Sequence, residues 1–261
     1  MRYLWDAEDD YAFDRIRRAA LRTIRSKLRH WDCEAATRVH HFIANSRFVR
    51  ERIQAYYGRD AAVIHPPVDT KFFTPWHSTA GGARGDFYLA AGALVPYKRF
   101  DLIIEACKQL DRRLVIAGQG PEIGRLRKMA SAKIEVQGAV SDEALRLLYR
   151  TARAMIVAAR EDFGIMTVEA QACGCPVVGF ASGGSTDIVT DGINGVFFTE
   201  QHPDEIVEAL RRFESMHWPE SQVRKQVEKF SRDAFRTTIH KFIEERAGFP
   251  AQVRLSELQP A

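Results

Sequence analysis

The sequence predicts an α/β protein whose main element is a doubly wound parallel sheet. Short apolar runs alternate with stretches of helical periodicity between residues 87 and 230, as in repeated βα units. Glycines follow most of the predicted strands, at the sheet edge where ligands of such folds bind. The alternation is sparser before residue 75, which indicates a second, smaller α/β region there.

The region before residue 75 contains two predicted strands and two predicted helices. Asn45 and Ser46 supply a cap for the second helix, and Pro66 and Pro67 end the second strand. Two strands are few for an α/β sheet, so we expect this region to be incomplete. In chain order the elements are a helix at 11–29, a strand at 41–44, a helix at 47–56 and a strand at 62–65.

The region after residue 75 contains enough predicted elements for one complete doubly wound domain. Its strands are predicted at 87–91, 114–117, 134–137, 154–158, 176–180 and 195–198. Its helices are predicted at 102–110, 122–130, 142–150, 166–172, 204–213 and 222–230. A last helix at 231–245 is followed by a tail that we expect to be loosely held.

Composition agrees with a globular, cytoplasmic protein. Of the 261 residues, 46% are hydrophobic, which suffices for a core. The formal charge of +4 is too small to indicate a nucleic-acid partner. No run reaches the roughly 18 apolar residues of a membrane helix, and the N-terminus lacks the pattern of a signal peptide. The four cysteines lack the spacing of a metal site, so we expect Cys173 and Cys175 to be reduced and buried.

The segment from Glu161 to Glu169 is the strongest functional signal. Gly164 lies at a strand-to-helix junction, where free N–H groups and the helix dipole form an anion site. Glu161 precedes this junction and is placed to reach a sugar, whereas Glu169 lies one helical turn further on, where it would accept hydrogen bonds from ribose hydroxyls. This arrangement indicates a nucleotide-sugar site. The alternative is that Glu161 is a solvated loop acid and Glu169 a surface helix residue.

The spacing of Glu161 and Glu169 resembles the Glu-x7-Glu motif of the retaining glycosyltransferases of family 4, which have the two-domain GT-B fold. The segment 93–101, with Lys98, resembles the family's phosphate-binding loop, and the segments 115–122 and 136–141 resemble its next two landmarks. The resemblance implies a Rossmann-like donor domain. It also implies transfer of a hexose, with mannose favoured, from a nucleotide diphosphate sugar such as GDP-mannose to a glycan or lipid-linked acceptor.

The same resemblance assigns roles to individual residues. Glu161 is expected to position sugar hydroxyls, and Lys98 to bind the diphosphate. No Asp-x-Asp motif is present, so the reaction is expected to need neither a metal nor another cofactor. The other residues expected to bind the donor are Arg99, Gly118, Gly120, Pro121, Gln137, Gly138, Phe163, Gly164, Ile165, Glu169, Gly183 and Gly184.

The chain departs from the family pattern in two places. Ala93 stands where many relatives carry an arginine beside the diphosphate, so Arg99 is an unproven substitute and donor affinity is expected to suffer. The acceptor-side domain is expected to be truncated by about a hundred residues, including the usual histidine. The expected division is an acceptor-side remnant at 1–74, a donor-binding domain at 75–230, and a crossing helix and tail at 231–261. The alternatives to a glycosyltransferase are a non-catalytic nucleotide-sugar-binding module and, less favoured, a nucleotide-sugar epimerase of the same fold.

The segment 15–31 predicts a basic amphipathic helix. Its apolar positions recur at helical spacing on one side, up to Trp31. One interpretation is peripheral docking on an anionic inner membrane surface that carries a lipid-linked acceptor. The other is packing of the apolar side on the protein's own sheet, with the basic side chains in water. The basic residues are Arg15, Arg17, Arg18, Arg22, Arg25, Lys27 and Arg29.

Overall fold

The computed structural model describes residues 15–76 and 84–247, with the backbone alone at 15–24 and at 247. It confirms the predicted α/β fold. A six-stranded parallel sheet with helices on both faces follows a two-stranded parallel sheet. The predicted features at 1–14 and the C-terminal tail after residue 247 lie outside the described residues.

The elements are numbered in chain order. The strands are β1 (Phe42–Ala44), β2 (Ala61–Val63), β3 (Phe87–Ala91), β4 (Arg113–Ala117), β5 (Ile134–Gly138), β6 (Met155–Val157), β7 (Val177–Phe180) and β8 (Gly195–Phe198). The helices are α1 (Arg15–Thr37), α2 (Arg47–Tyr57), α3 (Phe100–Gln109), α4 (Ile123–Met129), α5 (Asp142–Thr151), α6 (Ile165–Ala172), α7 (Ser185–Ile188), α8 (Pro203–Glu214), α9 (Glu220–Lys225) and α10 (Arg232–Ala247).

The large sheet has the strand order β5-β4-β3-β6-β7-β8. The chain runs outward from β3 to β5 and then returns to the other side of β3, where β6 begins the second half. The order therefore reverses between β3 and β6, and in open α/β sheets ligands bind at the carboxyl ends of the strands at such a point. Buried apolar clusters cover both faces of the sheet and fix this edge in place.

The small lobe, residues 38–66, is a β-α-β unit. β1 and β2 pair in parallel, and α2 connects them over a small core of Ala44, Ile53 and Ala61. Ser46 caps α2 by accepting a hydrogen bond from the Val49 N–H at 3.1 Å. Gly58, in the left-handed region, ends the helix.

The largest differences between the observed and the predicted helices concern α1, the predicted helix at 222–230, and α7. α1 continues to Thr37 instead of ending at 29, because Asp32 and Cys33 on its last turns bond to Tyr57 and Tyr56 of α2. The helix predicted at 222–230 is divided into α9 and a 3₁₀ turn at Glu228–Phe230. α7 was not predicted, since a single turn is too short to show a helical period.

The described part of α1 exposes Trp31. This side chain is 60% exposed, whereas Ala36, further along the same helix, is buried. Trp31 thus lies mostly in water, which disagrees with the interpretation that this apolar side packs on the protein's own sheet. None of the helices that the structure describes is both long and apolar enough to span a membrane.

Asp187 of α7 joins the small lobe to the large domain. Its side chain is 2% exposed and accepts hydrogen bonds from the Arg47 N–H at 2.8 Å and the Arg47 guanidinium at 2.6 Å. The His65 ring lies 3.1 Å from the second carboxylate oxygen. α10 returns to the small lobe as well, where Phe242 packs edge-on against His41 at 6.2 Å. Asp187 and α10 therefore both contribute contacts that hold the lobes together.

We expect Asp187→Asn to lower the free energy of unfolding by about 1–2 kcal/mol. The substitution removes the charge of a buried carboxylate whose ion-pair partner, Arg47, is largely exposed to water. Urea titration measures this loss. The control is Asp60→Asn, which breaks an exposed ion pair with Arg50 of α2 and should change stability far less than Asp187→Asn does. Equal effects from both variants would show that Asp187 is not a specific contact between the lobes.

Candidate functional site

A cavity of about 480 Å³ lies at the carboxyl ends of β3 and β6, where the strand order reverses. It opens between the large sheet and the small lobe, which contributes Asn45 and Pro66. Its lining includes Ala91, Tyr97, Lys98, Phe100, Ile103, Met155, Ile156, Val157, Ala158, Ala159, Glu161, Asp162, Phe163, Gly164, Ile165, Met166 and Thr167. The structure thus brings together Lys98, Glu161, Phe163, Gly164 and Ile165 from the sequence-predicted site.

Lys98 and Glu161 form an ion pair in this cavity. Lys98 ends a 3₁₀ turn, Pro96–Lys98, that follows β3, and Glu161 follows β6. Their side chains are 17% and 16% exposed, so the pair is partly shielded from water. Two adjacent strands of the sheet therefore place a cation and a carboxylate side by side at the predicted edge.

Gly183 and Gly184 support the turn that carries Glu161. The Gly184 N–H donates to the Glu161 carbonyl at 2.8 Å. A Cβ added to Gly184 would lie 2.3 Å from the Cα of Phe163, and one added to Gly183 would lie 2.4 Å from the Glu161 carbonyl oxygen. No side chain fits there without moving the turn. The two glycines are absent from the cavity lining, and their contacts are with the backbone beneath it.

Gly164 begins α6 in the left-handed region, at φ 100°. The next two residues, Ile165 and Met166, line the cavity, and Ile165 is 45% exposed. The first N–H groups of a helix have no partner within it and carry its positive dipole end. The start of α6 therefore faces the cavity with the features of an anion-binding site.

Glu169 lies on the second turn of α6, outside the lining of this cavity. The Tyr149 hydroxyl donates to its carboxylate at 3.1 Å. Burial raises the pKa of Glu169 above its ordinary value, and the hydrogen bond from Tyr149 opposes that shift. The carboxylate is thus held in place by a buried tyrosine at a position next to the site.

The pKa of Glu169 predicts how stability changes with pH. A raised pKa in the folded state means that this residue favours folding most when it is protonated, and the benefit is lost as pH rises through the folded pKa. We expect the stability of Glu169→Gln relative to the wild type to increase as the pH rises from about 5 to about 8. Urea titrations at the two pH values test this. A gap that stays constant with pH would contradict it.

The remaining predicted donor-binding residues lie at the same sheet edge but outside the cavity lining. Arg99 forms an ion pair with Asp101 at 3.2 Å. Gly118 follows β4 with a φ of 155°, and its N–H donates to the Gly138 carbonyl at 2.7 Å. A Cβ on Gly118 would lie 1.8 Å from the Gly92 carbonyl oxygen, so the loops after β3 and β4 approach closely there. The others at this edge are Gly120, Pro121 and Gln137.

Ser46, the cap of α2, and Arg52 of α2 bind the Glu161 turn from the small lobe, and these contacts were not predicted from the sequence. The Ser46 hydroxyl donates to the Asp162 carbonyl, and the Arg52 guanidinium bonds to the Asp162 carboxylate at 2.9 Å. The partners are separated by 116 and 110 residues, so no spacing rule connects them. The cap itself was recognisable at Ser46, but its second partner was not.

In the part of the chain that the structure describes, the cysteines and the potential metal ligands form no second site. Cys173 and Cys175 are buried and free, as predicted, and burial raises the pKa of their thiols to about 12 and about 11. Both are therefore protonated at neutral pH. Within the described ranges, no group of three or more histidine, cysteine, aspartate or glutamate side chains is placed to hold a metal ion.

Comparison with known proteins shows which proteins are similar to this chain in sequence. The sequence profile of the family described as "Glycosyl transferases group 1" matches residues 82–234. A D-inositol 3-phosphate glycosyltransferase of Kribbella flavida is 32% identical over 206 residues, which is 68% of this chain and 48% of that protein. A GDP-mannose-dependent alpha-(1-6)-phosphatidylinositol monomannoside mannosyltransferase of Mycolicibacterium smegmatis is 31% identical over 63% of this chain and 50% of its own length.

Solved structures show the same fold. Anabaena HepE in complex with UDP-glucose superimposes with a TM-score of 0.72 at 20% identity, over 83% of this chain and 67% of that one. A glycosyltransferase of Rickettsia africae gives 0.71 at 19% identity, over 80% and 64%. The chain spans about half the length of the curated relatives that it matches.

Proposed function

We propose a function on the premise that the chain belongs to the glycosyl transferases group 1 family. Its cavity binds a nucleotide diphosphate sugar, and the hexose of that sugar is transferred to an acceptor. One observation carries the proposal. Lys98, Glu161 and the start of α6 meet in a single cavity at the point where the strand order reverses. A cation and free N–H groups suit a diphosphate, and a carboxylate beside them suits sugar hydroxyls.

In the proposed reaction each group has a distinct task. Lys98 and the first N–H groups of α6 neutralise the charge that grows on the departing diphosphate. Glu161 accepts hydrogen bonds from sugar hydroxyls and holds the ring, and the anomeric configuration is retained. Glu169, fixed by Tyr149, accepts from the ribose. The protein groups supply the required positive charge, so the proposed transfer needs no metal.

GDP-mannose is the donor we favour. The relative from Mycolicibacterium smegmatis is described as GDP-mannose-dependent, and its identity to this chain is 31%. UDP-sugars are the alternative, because the structural neighbour from Anabaena is bound to UDP-glucose. The acceptor we propose is a glycan or a lipid-linked glycan at the inner membrane surface. The exposed Trp31 on the basic helix α1 supports a peripheral contact with that surface.

Release of nucleoside diphosphate from GDP-mannose and UDP-glucose by the full chain tests the proposal. An enzyme should release it faster than the Glu161→Ala variant, with or without an added acceptor. Binding of the donor without any release would favour the non-catalytic nucleotide-sugar-binding module instead. A folded sample that neither binds nor cleaves these donors would overturn both.

A further inference from the structure

Asn45 brings an amide from the small lobe into the cavity. It lies between β1 and α2, and it lines the same cavity as Lys98 and Glu161. The sequence predicted no role for it beyond the entry to a helix. Since the rest of the lining comes from the large domain apart from Pro66, Asn45 is the small lobe's polar side chain at this site within the described part of the chain.

The Asn45 carboxamide has an unmet hydrogen bond. Its Oδ1 atom is buried, and among the residues that the structure describes no donor lies within hydrogen-bonding distance. Buried polar atoms are nearly always paired, because leaving one unpaired costs its full desolvation. An atom of this kind at the wall of a ligand cavity is explained if the ligand supplies the partner.

The chemistry of an amide narrows that partner to a hydroxyl. An amide oxygen accepts a hydrogen bond, and a diphosphate at neutral pH has little to donate. The oxygen and nitrogen of a carboxamide can also exchange places by rotation. A hydroxyl both donates and accepts, so it satisfies Asn45 in either orientation. Among the parts of a nucleotide sugar, the hexose and the ribose carry hydroxyls.

The position of Asn45 favours the hexose. The next residue, Ser46, is fixed by its bond to the Asp162 carbonyl, and Asp162 is adjacent to Glu161. Asn45 and Glu161 are thereby held in a fixed relation across the cavity wall. Glu169, to which we assign the ribose, is outside this lining. The hexose held by Glu161 is therefore the part of the donor within reach of Asn45.

We propose that Asn45 is a specificity-determining residue that hydrogen bonds one hydroxyl of the donor hexose from the small-lobe side. This inference rests on the proposed function, because it requires a nucleotide sugar in the cavity. It assigns the small lobe a direct part in recognising the donor sugar. A purely structural amide would instead support the loop between β1 and α2 without touching the ligand.

Calorimetric titration of the full chain with GDP, GDP-mannose, UDP and UDP-glucose tests the inference. The quantity compared is the ratio of affinities with and without the hexose. Asn45→Ala should lower this ratio by about three- to tenfold and leave the affinity for the nucleoside diphosphate unchanged. The matched control is Gln54→Ala, which removes an exposed amide from α2 and should change neither quantity. Unfolding midpoints confirm that both variants are folded.

Deoxy analogues of the bound donor provide a test on the wild type itself. One analogue that lacks a single hexose hydroxyl should bind the wild type about three- to tenfold more weakly than the complete donor does. The same analogue and the complete donor should bind Asn45→Ala with equal affinity. If every analogue loses affinity equally in both proteins, or if the hexose ratio is the same in both, Asn45 does not bind the sugar and the inference is wrong. If no nucleoside diphosphate binds the wild type, the proposed function fails first and this inference fails with it.

Discussion

Replacing Lys98 with alanine is expected to weaken binding of a nucleoside diphosphate by about 1.5–3 kcal/mol, roughly 10- to 150-fold. Affinity for the bare nucleoside should stay within about threefold of the wild type, because the proposed partner of Lys98 is phosphate. The lysine is 17% exposed and lies in the cavity beside Glu161, where its charge is less screened than at the surface. Calorimetry with the nucleoside and its diphosphate separates the two quantities.

Two further variants make the Lys98 experiment specific. Lys98→Arg keeps the positive charge and should recover part of the lost affinity. Arg99→Ala removes the neighbouring cation, which is paired with Asp101 outside the cavity lining, and should cost less than about threefold. Equal losses for nucleoside and diphosphate in Lys98→Ala would indicate a disturbed fold. A larger loss in Arg99→Ala would show that the arginine binds the diphosphate.

Glu161→Ala and Glu169→Ala are expected to separate the two ends of the donor. Loss of Glu161 should reduce turnover by about 100-fold or more, while nucleoside diphosphate affinity stays close to that of the wild type. Loss of Glu169 should instead weaken binding of the nucleotide itself, by about 1–2 kcal/mol for the lost hydrogen bond between the carboxylate and a ribose hydroxyl. Rates of diphosphate release and calorimetric affinities are measured for the same preparations.

The positions of the two glutamates explain why opposite results are expected. Glu161 lines the cavity and contacts Lys98, whereas Glu169 lies outside the lining and is held by Tyr149. Tyr149→Phe is a useful companion variant, because it keeps Glu169 but removes the hydrogen bond that orients its carboxylate. It should weaken nucleotide binding less than Glu169→Ala does. If Glu161→Ala weakens binding of the bare nucleotide and Glu169→Ala leaves it unchanged, the roles assigned to the two glutamates are interchanged.

Much of the large domain follows from local sequence patterns. The strands at Phe87–Ala91 and Gly195–Phe198 match the predicted ones at both ends, because each is a short apolar run with clear boundaries. The proximity of Lys98 to the Glu161 turn was expected from the family resemblance, which assigns both residues to the donor site. One-turn elements such as α7 carry no period and were missed.

The contribution of the small lobe to the site was not predictable from the sequence. The bonds from Arg47 to Asp187 and from Ser46 to Asp162 connect residues more than a hundred positions apart, and each residue alone is typical of a surface helix start. Asn45 likewise matches an ordinary cap sequence, and its importance depends on a cavity formed by residues far along the chain. Tertiary packing alone reveals such contacts.

Titration of the full chain with GDP, UDP and their sugars is the most direct test of the central claim that the cavity beside Lys98 and Glu161 is a donor site. We expect at least one nucleoside diphosphate to bind with a dissociation constant in the micromolar to millimolar range, at one site per chain, and to lose that affinity in Lys98→Ala. A folded protein that binds none of these ligands, or that binds them equally well without Lys98, would contradict the account.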